Sequence, residues 1–416
     1  MTTTNSLLAS NNGLSPTSMT SGSTSYYIPL GNVCNNNLTT ESQVQSTERA
    51  SATYSNLYAL IQANSRSTAS TVKFRKNTAN GNQSASITAS TTGIFQDASN
   101  SDSVVATDLT CAVLVTGTGS SSQTVASVGV QYTPASGCIS KYCAYNNGII
   151  PTLSSASSTS HTCLAGTWST LFQSADTDVK FPVRSAGSIS NCFVNVSANT
   201  RTTATTAGIR KTGAAGNNSV SITATTTGTF EDTTHTDSVG TSDNISLYFT
   251  TGSDTSTSAS IRWGGALFTS SGTNSDLVAF VSNSKARGTT SNTYVHVTGD
   301  FGTITNTTEG IVQDVVPFAC RLTNLRIKVS LQNATTTWAL RVNGANGNQS
   351  VSTPSSGSGV YEDTTNHDDL TANAKIAVQC SSVSSLTSNY DGVAATIQPL
   401  PAIVSGSGSG LLQVMC

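Results

Sequence analysis

The stretch Phe74-Arg-Lys-Asn-Thr-Ala-Asn-Gly-Asn-Gln-Ser-Ala-Ser-Ile87, with Gly93-Ile-Phe-Gln-Asp97 and Ser101-Asp-Ser-Val104 behind it, decides the fold because it occurs three times. The second copy reads Ile209-Arg-Lys-Thr-Gly-Ala-Ala-Gly-Asn-Asn-Ser-Val-Ser-Ile222, Gly228-Thr-Phe-Glu-Asp232 and Thr236-Asp-Ser-Val239. The third reads Leu340-Arg-Val-Asn-Gly-Ala-Asn-Gly-Asn-Gln-Ser-Val-Ser-Thr353, Gly359-Val-Tyr-Glu-Asp363 and His367-Asp-Asp-Leu370. Arg75, Arg210 and Arg341 each precede a glycine by 6 residues: Gly81, Gly216 and Gly347. An aromatic follows each glycine by 14: Phe95, Phe230 and Tyr361. Asp97, Asp232 and Asp363 each precede a second aspartate by 5: Asp102, Asp237 and Asp368. The copies start 135 and 131 residues apart, so the repeating unit is a whole domain and not a solenoid turn.

A chain of 416 residues is long enough for three such domains. Only 10% of its residues are charged and the net charge is −2. Thr, Val, Ile, Phe and Tyr suit strands, and Asn, Gly, Ser and Asp suit the turns between them. Strong helix formers are scarce. Apolar residues alternate over Val72 and Phe74, over Ala85 and Ile87, and most clearly over Leu325, Ile327, Val329 and Leu331. Tyr54 to Ala63 reads as a strand with two semi-apolar faces. Asn80-Gly81-Asn82 reads as a hairpin turn. Seven or eight short antiparallel strands per copy give the expected fold class: all-β, with three tandem β-sandwich, jelly-roll-like modules packed round a pseudo-three-fold axis.

The expected boundaries are an N-terminal arm at 1–25 and modules at 26–135, 160–270 and 290–400. Connectors lie at 136–159 and 271–289, and a Gly/Ser tether with a short apolar tip at 401–416. Few basic clusters argue against a nucleic-acid groove. No run of about 18 apolar residues predicts a membrane span. The first residues, Met1-Thr-Thr-Thr-Asn, lack the charged start of a signal peptide.

Nine cysteines include no Cys-x-x-Cys pair and no zinc spacing. Cys192 aligns with Leu57 and Leu325, a core position. Cys138, Cys143 and Cys163 cluster and are candidates for a bridge, and Cys416 for one between chains. The paired carboxylates are candidate Ca²⁺ ligands or a glycosidase pair. The competing reading is that they cap a turn by accepting backbone N–H groups, which the spacing favours. The outward arginines are expected to pair with the acidic turn of their own module or the next. The four histidines show no metal or triad pattern. No catalytic residue, cofactor or metal is expected, and the chain reads as a non-enzyme.

Phe-Arg-Lys-Asn-…-Gly-Asn-x-Ser-Val-Ser-Ile followed by Gly-x-Phe-Glu-Asp-Thr-Thr-x-Thr-Asp-Ser-Val resembles β-sandwich modules of tailed-bacteriophage virion surface proteins, of the capsid decoration or tail adhesin type. The resemblance covers about three quarters of the chain; the third copy departs from it at Pro354 and Asp369-Leu370. It implies a structural protein of the virion surface, assembled in the host cytoplasm. Its expected partners are the major capsid protein, other virion proteins or further copies of itself. A receptor- or glycan-binding tail protein is the second implication.

Overall fold

The computed structural model describes residues 6–11, 17–31, 38–136, 138–146, 152–168, 172–272, 275–287, 291–298, 306–381 and 388–400. The protein is all-β and consists of antiparallel sandwiches. In module 1, Ser6–Asn11 pairs with Gln123–Pro134, which pairs with Ala52–Asn64, which pairs with Gly93–Val104. The facing sheet runs Ser25–Ile28, Leu109–Val115, Ser70–Lys76, Ala79–Ile87. Counting principal strands along the chain, the orders are first-eighth-third-sixth and second-seventh-fourth-fifth. That is the strand order of a jelly roll.

The other modules repeat it. In module 2 one sheet runs Cys138–Asn146, Ala259–Ser270, Gly187–Asn199, then Gly228–Glu231 and Thr236–Val239. Its second sheet runs Thr159–Thr162, Asn244–Thr250, Thr205–Lys211, Ala214–Ile222. In module 3 the sheets are Ser275–Arg287, Ser388–Gln398, Cys320–Gln332, Gly359–Glu362 with His367–Leu370, and Thr293–Val295, Ala374–Cys380, Thr336–Val342, Ala345–Thr353. A short segment, Gly166–Trp168, runs parallel to the first strand of module 2 and touches that of module 3 at Thr167 and Val281. It makes one continuous sheet across the two modules.

The expected arm and connectors are corrected by this pairing. Ser6–Asn11, Cys138–Asn146 and Ser275–Arg287 are the first strands of the three modules. The repeat signature starts only at the fourth strand, so spacing alone could not reach back to them. Yet Leu277-Val278-Ala279-Phe280-Val281 is a plain apolar run within an expected connector. Residues 401–416 lie outside the described residues.

Each module has its own buried core. Val72, Phe74, Ile87 and Leu114 belong to the first, Ile209, Ile222 and Leu247 to the second, Leu340, Trp338 and Val378 to the third. Burial of this kind contributes about 25 cal/mol per Å² of apolar surface. The third strand of every module carries a bulge at an asparagine with positive φ: Asn56 (56°), Asn191 (53°) and Asn324 (55°). Asparagine tolerates that region better than most residues. Leu57, Cys192 and Leu325 follow, all fully buried.

Two local expectations fail. Leu331, expected inward, is 51% exposed. A register shift between Val329 and Leu331 reverses the alternation and turns Gln332 inward. The hairpin turn is not Asn80-Gly81-Asn82 but Asn77-Thr78, with φ of 49° and 66°. Thr212-Gly213 and Asn343-Gly344 do the same in the other copies. Two successive positive φ values match the twist of the flanking strands.

Candidate functional site

The signature glycines lie inside the fifth strand of each module, close to the second aspartate of the pair. Asp102 Oδ1 accepts the N–H of Asn82 (2.7 Å) and Oδ2 that of Gln83 (3.1 Å). Asp237 serves Asn217 and Asn218, and Asp368 serves Asn348 and Gln349, in the same way. The fifth strand is a sheet edge, so these carboxylates satisfy N–H groups that no neighbouring strand reaches. The first aspartates act on the next residue and on their own turn. Asp97 accepts from Ser84, Ser99 and Asn100, Asp232 from Ser219, Thr234 and His235, and Asp363 from Ser350, Thr365 and Asn366. Burial alone would raise these three carboxyls; the hydrogen bonds more than reverse it and hold all three below the usual carboxylate range, Asp363 at about 2. Among the described residues no cluster of metal-ligating side chains forms. Phe95, Phe230 and Tyr361 are partly buried and pack on their cores.

The arginines do not reach the acidic turn. Arg75 forks onto Glu41, Nε to Oε1 at 2.9 Å and Nη2 to Oε2 at 2.8 Å. Arg341 holds Glu309 Oε2 through Nε (3.0 Å) and Nη2 (2.9 Å). Arg210 Nε stands 3.8 Å from Asp176 Oδ1, because the shorter side chain falls short of a fork. Glu41, Asp176 and Glu309 open short 3₁₀ turns in the loop before the third strand. The partners are Glu41, Asp176 and Glu309 instead of the acidic turn of the same module or the next. The loop that the arginine actually holds is about a third of a module away along the chain.

Those loops dock on neighbouring modules. The module 1 loop lies on the sheet of module 2: Arg49 Nη1 donates to Glu231 Oε2 (2.5 Å), its guanidinium covers the Phe193 ring at 4.6 Å, and Arg262 Nη1 donates to Ser42 O (3.3 Å). Phe193 in turn meets Trp263 edge-on at 5.3 Å. The module 2 loop lies on module 3 likewise. Arg184 Nε donates to Glu362 Oε2 (2.7 Å), and Lys328 Nζ to Thr177 O (2.6 Å) and Lys180 O (3.2 Å). Phe181 and Pro182 line a small recess there with Arg326, Lys328, Val393 and Ala394. The module 3 loop returns to module 1, where Tyr58, Leu60, Leu7 and Ala126 are buried in one cluster with Val315, Val316 and Phe318. Val315 N–H donates to Tyr58 Oη at 3.4 Å. This explains the second apolar face of Tyr54 to Ala63: Tyr58 and Leu60 face outward from their own sandwich and into another.

Sequence reading missed Arg49, Arg184, Glu41 and Asp176 as functional positions. The signal existed: Arg49 to Arg184, and Glu41 to Asp176, are 135 residues apart, the offset of the first two copies.

Of the histidines, His235 bonds the Asp232 carboxylate at 2.9 Å, His296 lies 3.3 Å from Asp314 in a fully buried pair, and His161 lies 4.0 Å from Asp176. His367 is exposed. The cysteine expectation is corrected in part. Cys163 is a buried thiol pushed up to about 12 by burial. Cys138 and Cys143 lie in one strand, Cys138–Asn146, and their side chains lie outside the described ones. Cys416 lies outside the described residues.

No protein-family model matches the chain, and no curated protein matches it. Among solved structures it is similar to a chain described under "The Triple Jelly Roll Fold and Turret Assembly in an Archaeal Virus", at 14% identity and a TM-score of 0.18, over 86% of this chain and 82% of that one. At that TM-score the fold assignment rests on the strand order given above.

Proposed function

We propose that the protein is a structural component of a virion surface, without enzymatic activity, in which three jelly rolls on one chain form a single-chain pseudo-trimer. The observation that carries this is the circuit of contacts: loop of module 1 on sheet of module 2, 2 on 3, and 3 on 1. Such a unit offers similar faces three times round one axis, which fits a local three-fold position of an icosahedral shell. The repeated acidic and basic residues support the reading, since their charges serve backbone N–H groups and loop anchoring. The partner is the major capsid protein, bound by decoration.

The test is location and number. Quantitative mass spectrometry and labelled electron microscopy of particles that carry this chain should find hundreds of copies over the shell. A handful at the tail would replace decoration with receptor or glycan binding. Absence from purified particles would overturn the assignment.

A further inference from the structure

We propose that the loop by which module 2 holds module 3 is an acid-sensitive latch, opened when His161 takes up a proton. The latch depends on the docking geometry alone and not on where the chain is mounted.

Arg75, Arg210 and Arg341 pair with Cys111, Ser246 and Ala377 of the seventh strand. Two residues on, Val113, Tyr248 and Gln379 pair with Tyr27, His161 and Tyr294 of the second strand. One position beside the anchoring arginine is thus tyrosine in modules 1 and 3 and histidine in module 2. His161 is only 6% exposed. Its N–H donates to Gln173 O (2.7 Å) and its C=O accepts from Gln173 N–H (2.9 Å), at the root of the docking loop. Its Nδ1 stands 4.0 Å from Asp176 Oδ1. Arg210 Nε approaches that same oxygen to 3.8 Å, and Ser246 Oγ donates to it. The turn that Asp176 opens gives the carbonyls of Thr177 and Lys180 to Lys328 of module 3, and Arg184 behind it reaches Glu362. His161 therefore meets the loop at its root and at the turn that docks.

In module 1 the Arg75 guanidinium covers the Tyr27 ring at 5.9 Å, which attracts a cation. In module 2 a proton on His161 would set two cations against the one Asp176 carboxylate, in a site nearly closed to water. Burial opposes that proton most, Asp176 favours it and Arg210 opposes it again; the balance holds the ring below the usual histidine range. Once the loop lifts, the ring meets water and takes its proton at the ordinary value of about 6.5. The open state then binds more protons than the closed one. Opening therefore gains as pH falls through about 6.5, and stops gaining below the value of the closed state. Around the turn stand also Asp178 and Lys180 on the loop, Tyr248 on the seventh strand, and Lys328 with Asp391 (3.9 Å) across the seam. Aspartate, lysine and tyrosine ordinarily titrate well outside this window. In module 3, His296 lies two residues past Tyr294 and meets Asp314 at 3.3 Å, so module 1 is the cleaner internal control.

The experiment uses the full chain and no particle, so it can fail while the coat assignment stands. Hydrogen exchange, corrected for the pH dependence of free amides, is compared at about pH 7.5 and about pH 5.5, on either side of the ordinary histidine value. The matched amides are Val183, which donates to Asp243 O (2.8 Å), and Glu48, which donates to Asp108 O (2.7 Å). Peptides over 173–185 and 38–50 report them. On acidification the module 2 loop should lose several-fold more protection than the module 1 loop. His161→Gln keeps a polar side chain that cannot titrate and should abolish that difference. If this variant does not fold, the parent's own comparison of the two loops decides. Equal acid responses of the two loops in the parent, a module 2 loop better protected in acid, or an undiminished response in His161→Gln would overturn the proposal.

Discussion

A Cβ placed on Gly81 would lie 2.5 Å from the Asp102 carboxylate oxygen. The glycine is there for space, not for an unusual backbone angle. The carboxylate enters the gap and accepts the two N–H groups beyond it. Gly347 and Asp368 repeat the relationship at 2.7 Å, and Gly216 and Asp237 also do.

Gly81→Ala should therefore push the carboxylate off its donors and cost about 1–3 kcal/mol. Asp102→Ala should cost a similar amount, because it orphans the same N–H groups. The two together should cost much less than their sum, as expected for one shared interaction. Urea unfolding of the two single variants and the double checks this; additive losses would show that the glycine and the carboxylate act separately.

Asp363 gives a pH limb of known sign. Its folded value is held at about 2, below an unfolded value of about 3.9. Its contribution is complete above about pH 4 and is lost as pH falls toward about 2, because the unfolded carboxyl takes up its proton first. Asp97 and Asp232 are shifted in the same direction and add to the limb. Asp363→Asn should flatten it by on the order of 2 kcal/mol between those pH values. Denaturant unfolding across that range measures the slope.

Arg66 is fully buried and serves only carbonyls: Met19 (2.6 Å), Ser21 (2.9 Å), Gly117 (3.0 Å) and Gly119 (3.3 Å). It ties the loop after the first strand to the loop before the last. Arg66→Ala should cost about 3 kcal/mol or more, since it leaves several buried acceptors and a cavity. Arg66→Lys should recover little, because one ammonium cannot span two separated pairs. Among the described residues of module 3 no arginine takes this place; there the Gln332 amide reaches Ala334 O (2.6 Å) and Thr353 O (2.7 Å). Hydrogen exchange should show the loops around 17–21 and 117–119 opening first in Arg66→Ala, with module 3 unaffected.

What was legible in the sequence was whatever repeats in register. Arg75, Gly81, Phe95, Asp97 and Asp102 recur without slippage, so module number and sheet-forming character could be read directly. The alternation of Val72 and Phe74 marked a core face correctly, since both are fully buried. What failed depends on tertiary partners. Leu331 turned outward because a bulge changed the phase, and a bulge leaves no mark in a period-2 pattern. The seams were invisible because Arg49 and Glu231 are 182 residues apart and look like ordinary surface charges until the modules meet.

The Arg75–Glu41 fork sets a graded prediction among the three copies. Two parallel N–H···O bonds at 2.9 and 2.8 Å, on side chains only 14% and 13% exposed, should couple by about 1–2 kcal/mol in a double-mutant cycle. Arg341 and Glu309, equally buried, should match it. Arg210 and Asp176, at 3.8 Å, should couple by about 0.5 kcal/mol or less. The fork also fixes the loop that carries Arg49, so Arg75→Met should weaken the contact with module 2 without touching it. Protease cleavage near residues 41–49 should then accelerate, and Arg49→Met should add little further loss once Arg75 is gone. Equal coupling in all three copies would mean that the arginines act by general charge and not by anchoring the docking loops.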